Sequence, residues 1–414
     1  MAEAIKQNLT GLRVLDITQY IAGPTLGRIL TDLGADVVKL EMPPGGEFSR
    51  TGSFPPPVDG QAPTYIYYNR GKRSLCIDFK RPEGAAIVVE LARHFDVIIE
   101  NYTPGVLSKY GLSYEAFKKV NPRVIMCSVS GFGQKGPRAN FPGNDMTGQA
   151  FSGLLHLTGN DDGTPVYPGM YLADGSGGVN GATAVLAALY YRDRTGVGQY
   201  IDVALYECVF HIHDIVLMRH LFTQGDFNPG PTGRHRPGAT PCGLFKTRGG
   251  WIVLTVLNHY WKRFTQDIGK PELAKDPRFN PYTTRWENRK ELEPIIEEWL
   301  QSFGSREEAL KFLIDNRYLA APVMDLRATV EMIKQEGRGA LQTVDVPGYG
   351  EVSLPKAPYL FSETEVEFKP ILSLLGQDNR SILSQSLGYS EQKLDELQAA
   401  GILIEDQEMP KERK

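Results

Sequence analysis

The chain has 414 residues, with 45 Lys and Arg against 49 Asp and Glu, a formal net charge of −4, and 41% hydrophobic residues. That length accommodates two or three domains of roughly 100–200 residues with full hydrophobic cores, and it excludes a disulfide-stapled miniprotein. The nearly balanced charge gives no electrostatic ground for nucleic acid or an anionic membrane as partner.

The N-terminal stretch MAEAIKQNLTGLRVLDI has no basic region followed by an apolar core, so no signal peptide is expected. Leu12–Ile17 (LRVLDI) reads as a buried strand, followed by the loop Gln19–Pro24 and a helical pattern through Leu26, Ile29, Leu30 and Leu33. Ala35–Glu41 (ADVVKLE) is the next strand. Strand, helix and strand within about thirty residues make a βαβ unit, which needs a parallel sheet and places ligands beyond the carboxyl ends of its strands. Pro43–Pro63 is rich in Pro and Gly and predicts a long loop. Asn69-Arg70-Gly71-Lys72-Arg73 is a turn whose cations either hold phosphates or are solvated, and Ser74–Asp78 is a strand.

The alternation continues with a helix over Pro82–Phe95, a strand at Asp96–Glu100, a helix over Tyr114–Val120 and a strand at Arg123–Ser128. Gly143–Gly153 leads a short helical segment, and Tyr200–Ala204 is a further strand. Gly225–Pro241 crowds glycines and prolines around His235, which marks a boundary or an excursion between domains. Beyond it come a hairpin about Gly249-Gly250, a helical region with Trp261, Phe264, Ile295, Ile296, Trp299 and Leu300 as core candidates, short strands at Leu341–Val346 and Val352–Leu354, and a closing helix capped by Ser390. The tail Glu405–Lys414 is expected to be disordered. Cys76, Cys127, Cys208 and Cys242 form no C-x-x-C pattern, which predicts reduced thiols in a cytoplasmic protein. The longest apolar helical pattern, Val179–Tyr191, falls short of the roughly 20 residues that cross a bilayer.

Tyr167–Arg192, YPGMYLADGSGGVNGATAVLAALYYR, is the stretch around which the chain is organised. Val179, Ala182, Val185, Leu186 and Leu189 keep the three-to-four spacing of one buried helix face, with Arg192 in the last turn. Asp174 stands where an extended lead-in meets this helix. Gly175, Gly177, Gly178 and Gly181 leave the helix start bare, which predicts close access of a ligand to unpartnered backbone N–H groups. Two readings of Asp174 stand on these residues: a helix cap, and a carboxylate nucleophile or base beside an anion-stabilising surface.

Several signatures are missing. The first βα loop has no G-x-G-x-x-G, and although Gly131, Gly133 and Gly136 fit that spacing, Pro137 and Pro142 bracket the place where its helix would begin, which argues against a nicotinamide or flavin enzyme. No P-loop, H-E-x-x-H or G-x-S-x-G occurs. His211, His213 and His220, at spacings of two and seven, do not converge on one helix face, so no metal site is expected. The residues alone give a soluble α/β enzyme with an anion-accepting edge and a candidate catalytic Asp at a helix start, and they stop short of a reaction.

Seven segments together resemble the class III coenzyme A transferases, the family of formyl-CoA transferase and the carnitine-related CoA transferases, which includes α-methylacyl-CoA racemase. They are LRVLDITQYIAGP (Leu12–Pro24), LGADVVKLE (Leu33–Glu41), NRGKRSLCIDFKRPEG (Asn69–Gly84), VIIENYTPGVLSKYGLSYE (Val97–Glu115), NPRVIMCSVSGFGQKGP (Asn121–Pro137), the Asp174 stretch, and RTGVGQYIDVALYE (Arg194–Glu207). The resemblance implies an α/β fold, with a Rossmann-like large domain built on a parallel sheet plus a smaller α+β domain, in an interlocked homodimer. The expected division is residues 1–225, 226–318 for the small domain, and 319–414 returning to the large domain.

The resemblance further implies that Asp174 is the nucleophile and that coenzyme A moves from an acyl-CoA to a free carboxylic acid through a mixed anhydride and an aspartyl-CoA thioester, with no prosthetic group. CoA contacts carry over to Ala22, Asn69, Lys72, Asn101 and Lys109. Met42 stands where the formyl-CoA enzyme has an arginine for the nucleotide, and Lys39 or Arg73 is expected to compensate. Gly143-Asn144-Asp145 stands where the racemase has G-H-D, and asparagine cannot shuttle a proton near neutral pH, which favours transfer over racemisation. Asp145 either positions substrate or caps a helix, and His235 with Arg236 either meets an acceptor carboxylate or lies in a surface loop. A non-catalytic CoA-binding subunit of a heteromeric transferase is the alternative from another class. Acyl donor and acceptor stay open: the candidates are dicarboxylic, aromatic or branched carboxylic acids, with succinyl-CoA or acetyl-CoA as donor.

Overall fold

The apolar runs between residues 12 and 130 are four to six residues long, too short for core helices, and each becomes a strand buried on both faces. A computed structural model describes residues 7–52, 56–58, 62–366, 368–369 and 373–405. Its elements through residue 211 are β1 (Arg13–Ile17), α1 (Ala22–Asp32), β2 (Asp36–Glu41), α2 (Pro63–Asn69), β3 (Arg73–Cys76), α3 (Pro82–Leu91), β4 (Val97–Glu100), α4 (Val106–Lys109), α5 (Tyr114–Val120), β5 (Ile125–Ser130), α6 (Asp145–Phe151), α7 (Leu154–Leu157), α8 (Leu172–Thr195), β6 (Tyr200–Ala204) and α9 (Leu205–His211). Strands β1 to β6 make one sheet in the order β3-β2-β1-β4-β5-β6, with every neighbouring pair parallel. The expected parallel α/β fold is therefore present. Its strand order reverses between β1 and β4, and the crevice beyond their carboxyl ends is where such sheets receive ligands.

By its contacts the chain divides into two units. The first takes its described residues from Met1–Ser152, Tyr171–Ile212 and Glu336–Lys414. Its core combines Leu15, Ile17, Val38, Leu75 and Ile98 of the sheet with Val88, Leu91 and Phe117 of the flanking helices and Ile382, Leu383, Leu394 and Leu397 from the end of the chain. That end also covers the free edge of β3: Asn379 Oδ1 accepts the Cys76 N–H at 2.8 Å, Asp378 Oδ2 accepts the Ser74 N–H at 2.8 Å, and Ile77 bridges Leu403. Ser390 caps the closing helix Glu391–Ala399 through the Lys393 N–H, as expected. Residues 406–414 of the tail lie outside the described residues. Within the long loop after β2, Phe48–Arg50 forms one helical turn, and 53–55 and 59–61 lie outside the described residues.

Helix α8 corrects two expectations. It begins at Leu172, so Asp174 is its third residue and not its cap, a position held by Tyr171, whose side chain makes no capping bond. Its buried residues include Ala182, Val185 and Leu189, but Val179 and Leu186 are exposed, because the face turned to the core is the glycine face. A Cβ at Gly178 would stand 2.7 Å from Thr25 Cβ and 2.9 Å from the Ala22 carbonyl oxygen, and one at Gly181 would stand 2.6 Å from Leu26 Cδ1. The glycines let α8 lie directly on α1. Only Gly175 among the four opens on free space.

The second unit comprises Gly153–Met170 and His213–Gln335. Its strands β7 (Cys242–Thr247), β8 (Gly250–Thr255) and β9 (Leu319–Pro322) form an antiparallel sheet in that order, and the expected hairpin about Gly249-Gly250 is its first turn. Phe245, Ile252, Phe264, Leu292, Ile296 and Leu300 fill its core, with Ile295 and Trp299 packed against it. His235 is buried here, not in a surface loop, with its Nε2 3.1 Å from Glu293 Oε1 and its ring against Phe245. Among the described residues no helix is long and apolar enough to cross a membrane, and no group of three or more His, Cys, Asp or Glu could hold a metal ion.

Candidate active site

The sheet's switch point is closed by a reciprocal amide pair. The Gln19 N–H donates to Asn101 Oδ1 at 2.7 Å, and Asn101 Nδ2 donates to the Gln19 carbonyl at 2.8 Å, which ties the loop after β1 to the loop after β4. The next residue, Tyr20, is held in the left-handed region at φ 63°, which costs a tyrosine about 1 kcal/mol or more. Glu47 meets that cost by accepting the Tyr20 N–H at 2.9 Å. The Tyr20 ring is exposed and lies against Phe48 at a centroid distance of 5.2 Å.

Beneath this loop lies a fully buried ionic cluster. Asp16, inside the apolar run of β1, receives Lys72 Nζ on Oδ2 at 2.7 Å and Lys39 Nζ on Oδ1 at 3.3 Å. Burial opposes ionisation of Asp16, but the two ammonium groups prevail and hold its carboxyl down to about 2. Burial also lowers Lys72, to about 8, against the attraction of Asp16. Lys72 donates further to Asn69 Oδ1 at 2.8 Å and to the Pro24 carbonyl at 3.1 Å, and Asn69 Nδ2 donates to Glu47 Oε1 at 2.9 Å. The cluster thus runs from the sheet to the backbone of Tyr20. Removing one member of such a buried set leaves an uncompensated charge and typically costs several kcal/mol.

Asp174 stands at the start of α8, which lies against the first turns of α1. The N–H groups at a helix start have no partner within the helix. Here the buried carboxylate of Asp145, from α6, supplies one: its Oδ1 accepts the Ala173 N–H at 2.8 Å and the Asp174 N–H at 3.1 Å, while Oδ2 accepts from Gln149 Nε2 at 2.5 Å. Asp145 therefore caps a helix, though not its own. Asn144 caps α6, accepting the Thr147 N–H at 3.1 Å in a reciprocal box with the Thr147 hydroxyl. The expectation of unpartnered amides at the bare helix start is corrected accordingly, because Ala173 and Asp174 donate to Asp145 and the Gly175 N–H donates to the Tyr171 carbonyl. Burial, followed by the negative charge of Asp145, pushes the Asp174 carboxyl up to about 7. A helix start ordinarily favours a carboxylate anion, so here desolvation and a like charge outweigh the dipole.

The structure brings Ala22, Asn69, Lys72 and Asn101 to this end of the sheet. Ala22 is the buried first residue of α1, and Gly178, one turn beyond Asp174, rests on its carbonyl. Asn69 and Lys72 are buried with internal partners, so they act on the loop from below. Lys109 ends α4 and lines a groove of about 570 Å³ with Lys80, Arg93, Phe79 and Tyr110. Met42 packs against the core. Neither cation expected to compensate for it is placed to do so: Lys39 is consumed by Asp16 and Thr18, and Arg73 pairs with Asp36 at 2.7 Å at the amino end of β3, away from the strand ends that face ligands.

Glu47 and Asp16 as supports, and Lys80 and Arg93 as groove cations, went unmarked in the sequence, where Gln19 stood only as part of the loop Gln19–Pro24. Asp16 had a legible signal, a carboxylate inside an otherwise apolar strand, which demands a buried cation. Glu47 had none, because its partners are backbone and side-chain groups brought in from other segments.

A family profile described as CoA-transferase family III matches residues 9–379. The chain is 33% identical over 400 residues to the succinyl-CoA–L-malate CoA-transferase beta subunit of Chloroflexus aurantiacus, covering 95% of this chain and 98% of that one. It is 33% identical over 399 residues to the succinyl-CoA:glutarate CoA-transferase of Mus musculus, covering 95% and 90%. Among solved structures, a CaiB/BaiF family protein from Brucella suis superposes with a TM-score of 0.79 at 32% identity, over 92% of this chain and 100% of that one.

Proposed function

The chain belongs to CoA-transferase family III, and from that premise we propose that it moves coenzyme A from an acyl-CoA to a free carboxylic acid through covalent intermediates on Asp174. One observation carries the reading: Asp145 accepts the Asp174 N–H and the preceding one, fixing the Asp174 backbone at a helix start, in surroundings that raise the basicity of its carboxyl. A carboxylate of ordinary acidity is a poor nucleophile toward a thioester. Desolvation makes its anion more reactive while leaving a substantial fraction ionised at neutral pH.

In this mechanism an Asp174 oxygen attacks the thioester carbonyl carbon, the carbon–sulfur bond breaks, and CoA leaves as thiolate from a mixed anhydride. The thiolate attacks Asp174 Cγ, releasing the donor acid as carboxylate and leaving an aspartyl-CoA thioester. The acceptor carboxylate attacks that thioester to give a second anhydride, and the thiolate then attacks the acceptor carbonyl, freeing the Asp174 carboxylate. Each addition develops an oxyanion. Since the Ala173 and Asp174 amides are engaged by Asp145, its stabilising donors come from groups that reach Asp174 from outside the helix start.

Ala22 and Asn101 contact the pantetheine arm where it crosses the switch point, Lys109 with Lys80 and Arg93 meets the nucleotide phosphates, and Asn69 and Lys72 hold the loop that both lean on. The likeness to enzymes named for succinyl-CoA supports succinyl-CoA as donor and a dicarboxylic acid as acceptor. No prosthetic group enters these steps. A homodimer is supported by the apolar side chains that α8 leaves exposed, Val179, Tyr190 and Tyr191 among them. Four cysteines without disulfides fit a cytoplasmic setting. A second reading, in which an unlike chain completes the site, is favoured by relatives named as alpha and beta subunits. Racemisation is disfavoured because Asn144 is engaged as a helix cap.

The test is to incubate the protein alone with succinyl-CoA and other acyl-CoAs, add hydroxylamine, and map hydroxamates by peptide mass spectrometry. Modification confined to Asp174 supports covalent transfer. Its absence with every donor, alongside α-deuterium exchange into a branched acyl-CoA, overturns it; modification only after a second chain is supplied supports the two-chain reading.

A further inference from the structure

Behind α4, on the first unit, lies a cavity of about 400 Å³ to which the transfer reaction assigns no role. Among its lining residues is Glu100, the last residue of β4, only 5% exposed. Glu100 Oε2 accepts the Tyr102 N–H at 2.8 Å, and Ser128 stands in the same lining. The rim and walls are hydroxyl-bearing and apolar, with Ser108, Ser113, Leu107, Leu112 and Met126, and two tyrosine rings, Tyr114 and Tyr200, stand 5.5 Å apart at one side.

The charge of this cavity has one sign. No Lys or Arg lines it, whereas Glu100 and Glu115 do, and Asp202 adds a negative charge from β6. The other titratable groups facing Glu100 are Tyr102 on its own loop, Cys127 on β5 and Tyr200 on β6, none of which brings a positive charge. Lys118 lies outside the lining, with its ammonium 5.5 Å from the centre of the Tyr114 ring. A buried carboxyl without a counter-ion is a group that a positively charged ligand stabilises and an anion destabilises. A bare metal ion fits poorly, since no three His, Cys, Asp or Glu among the described residues converge.

We infer that this cavity binds a small organic cation, an ammonium with a short apolar tail, whose N–H groups donate to Glu100 while its tail lies along Leu107, Leu112 and Met126 beside the two tyrosine rings. Burial, with Asp202, pushes Glu100 up to about 7, so the empty site is half protonated near neutral pH and the ligand draws it to the carboxylate. Binding of a cation then releases a proton from the protein and tightens as pH rises. A ligand that stays charged up to about pH 10, as alkylammonium ions do, gains about tenfold in affinity between pH 6 and pH 8.

The experiment is isothermal titration calorimetry of the full chain with n-butylammonium chloride, against potassium chloride at equal ionic strength and against n-butanol. Saturable binding by butylammonium, about tenfold tighter at pH 8 than at pH 6, is the expected result. Glu100→Gln loses the binding and its pH dependence, and Tyr114→Ala weakens binding several-fold while keeping the pH dependence, with thermal melts checking that each variant folds. Should Glu100→Gln not fold, the pH profiles of the wild type and of Tyr114→Ala decide. Lack of saturable binding, equal uptake of butanol, or unchanged binding in Glu100→Gln overturns the inference.

Discussion

Asp145 acts on Asp174 in two opposed ways: its Oδ1 accepts the Asp174 N–H at 3.1 Å, fixing the backbone, while its charge raises the Asp174 carboxyl above the usual carboxylate range. One carboxylate thus both positions and tunes the other. Asp145→Asn keeps an acceptor oxygen and removes the charge, so the Asp174 carboxyl becomes more acidic, though burial still holds it above an ordinary aspartate. The acid limb of the kcat profile therefore moves to lower pH in this variant. Asp145→Ala also loses the cap, at a cost of about 1–2 kcal/mol in stability. A pH–rate profile with an unmoved acid limb in Asp145→Asn would refute the electrostatic half of this account.

Asp174→Asn removes the proposed nucleophile, and on that proposal transfer falls by about 10³-fold or more. The same substitution stabilises the fold in alkaline solution. Between roughly pH 4 and the folded value of about 7, the unfolded chain has lost the Asp174 proton and the folded chain retains it, so stability declines as pH rises through that window and levels off above it. Asparagine carries no such liability. The melting-temperature difference between Asp174→Asn and wild type should therefore grow in favour of the variant from pH 4 to pH 8, and a flat difference would contradict the raised value.

Gly178→Ala and Gly175→Ala separate packing from access. The methyl at 178 meets Thr25 Cβ and the Ala22 carbonyl, so α8 must lift from α1, costing about 1–3 kcal/mol and disturbing Asp174. At 175 the methyl meets nothing within 4 Å, and stability holds or improves by up to about 1 kcal/mol. Denaturant melts on the two variants decide, and equal destabilisation would mean that the glycine face is not a packing face.

Asn101→Ala breaks both bonds to Gln19 and frees the loop that carries Tyr20, which raises KM for acyl-CoA. Lys109→Ala is expected to raise the same KM by a different route, through the phosphates it is proposed to meet. With an acyl-pantetheine substrate, which has no nucleotide, the Lys109 effect vanishes and the Asn101 effect remains. Kinetics on the two substrates read out both; a Lys109 effect that persists with acyl-pantetheine would remove this residue from nucleotide binding.

The parallel sheet was legible because strands buried on both faces are short and mostly apolar, and LRVLDI, DVVKLE and DVIIE are apolar apart from the charged residues at or near their ends and the buried Asp16 and Lys39. Asp174 was legible as a helix-start carboxylate for a similarly local reason. What local pattern could not give is the identity of distant partners. The glycines after Asp174 look like an open approach for ligand until α1 is laid on them, and Lys72 looks like a phosphate-binding turn until Asp16 is found beneath it. Asp145 sits beside its own helix's cap in sequence and serves a different helix in space.

The covering of β3 by Asp378, Asn379 and Leu403 has a consequence for how the chain is made. Cys76 and Asn379 are 303 positions apart, so at about 5–20 residues per second a ribosome needs roughly 15–60 s after emitting the strand before its covering segment exists. Through that interval the growing chain presents an open sheet margin with unsatisfied amides, the kind of surface on which nascent chains pair with one another. The segment that ends this exposure is made about 300 residues after the strand it covers, and a chain cut short before residue 373 keeps its sheet open.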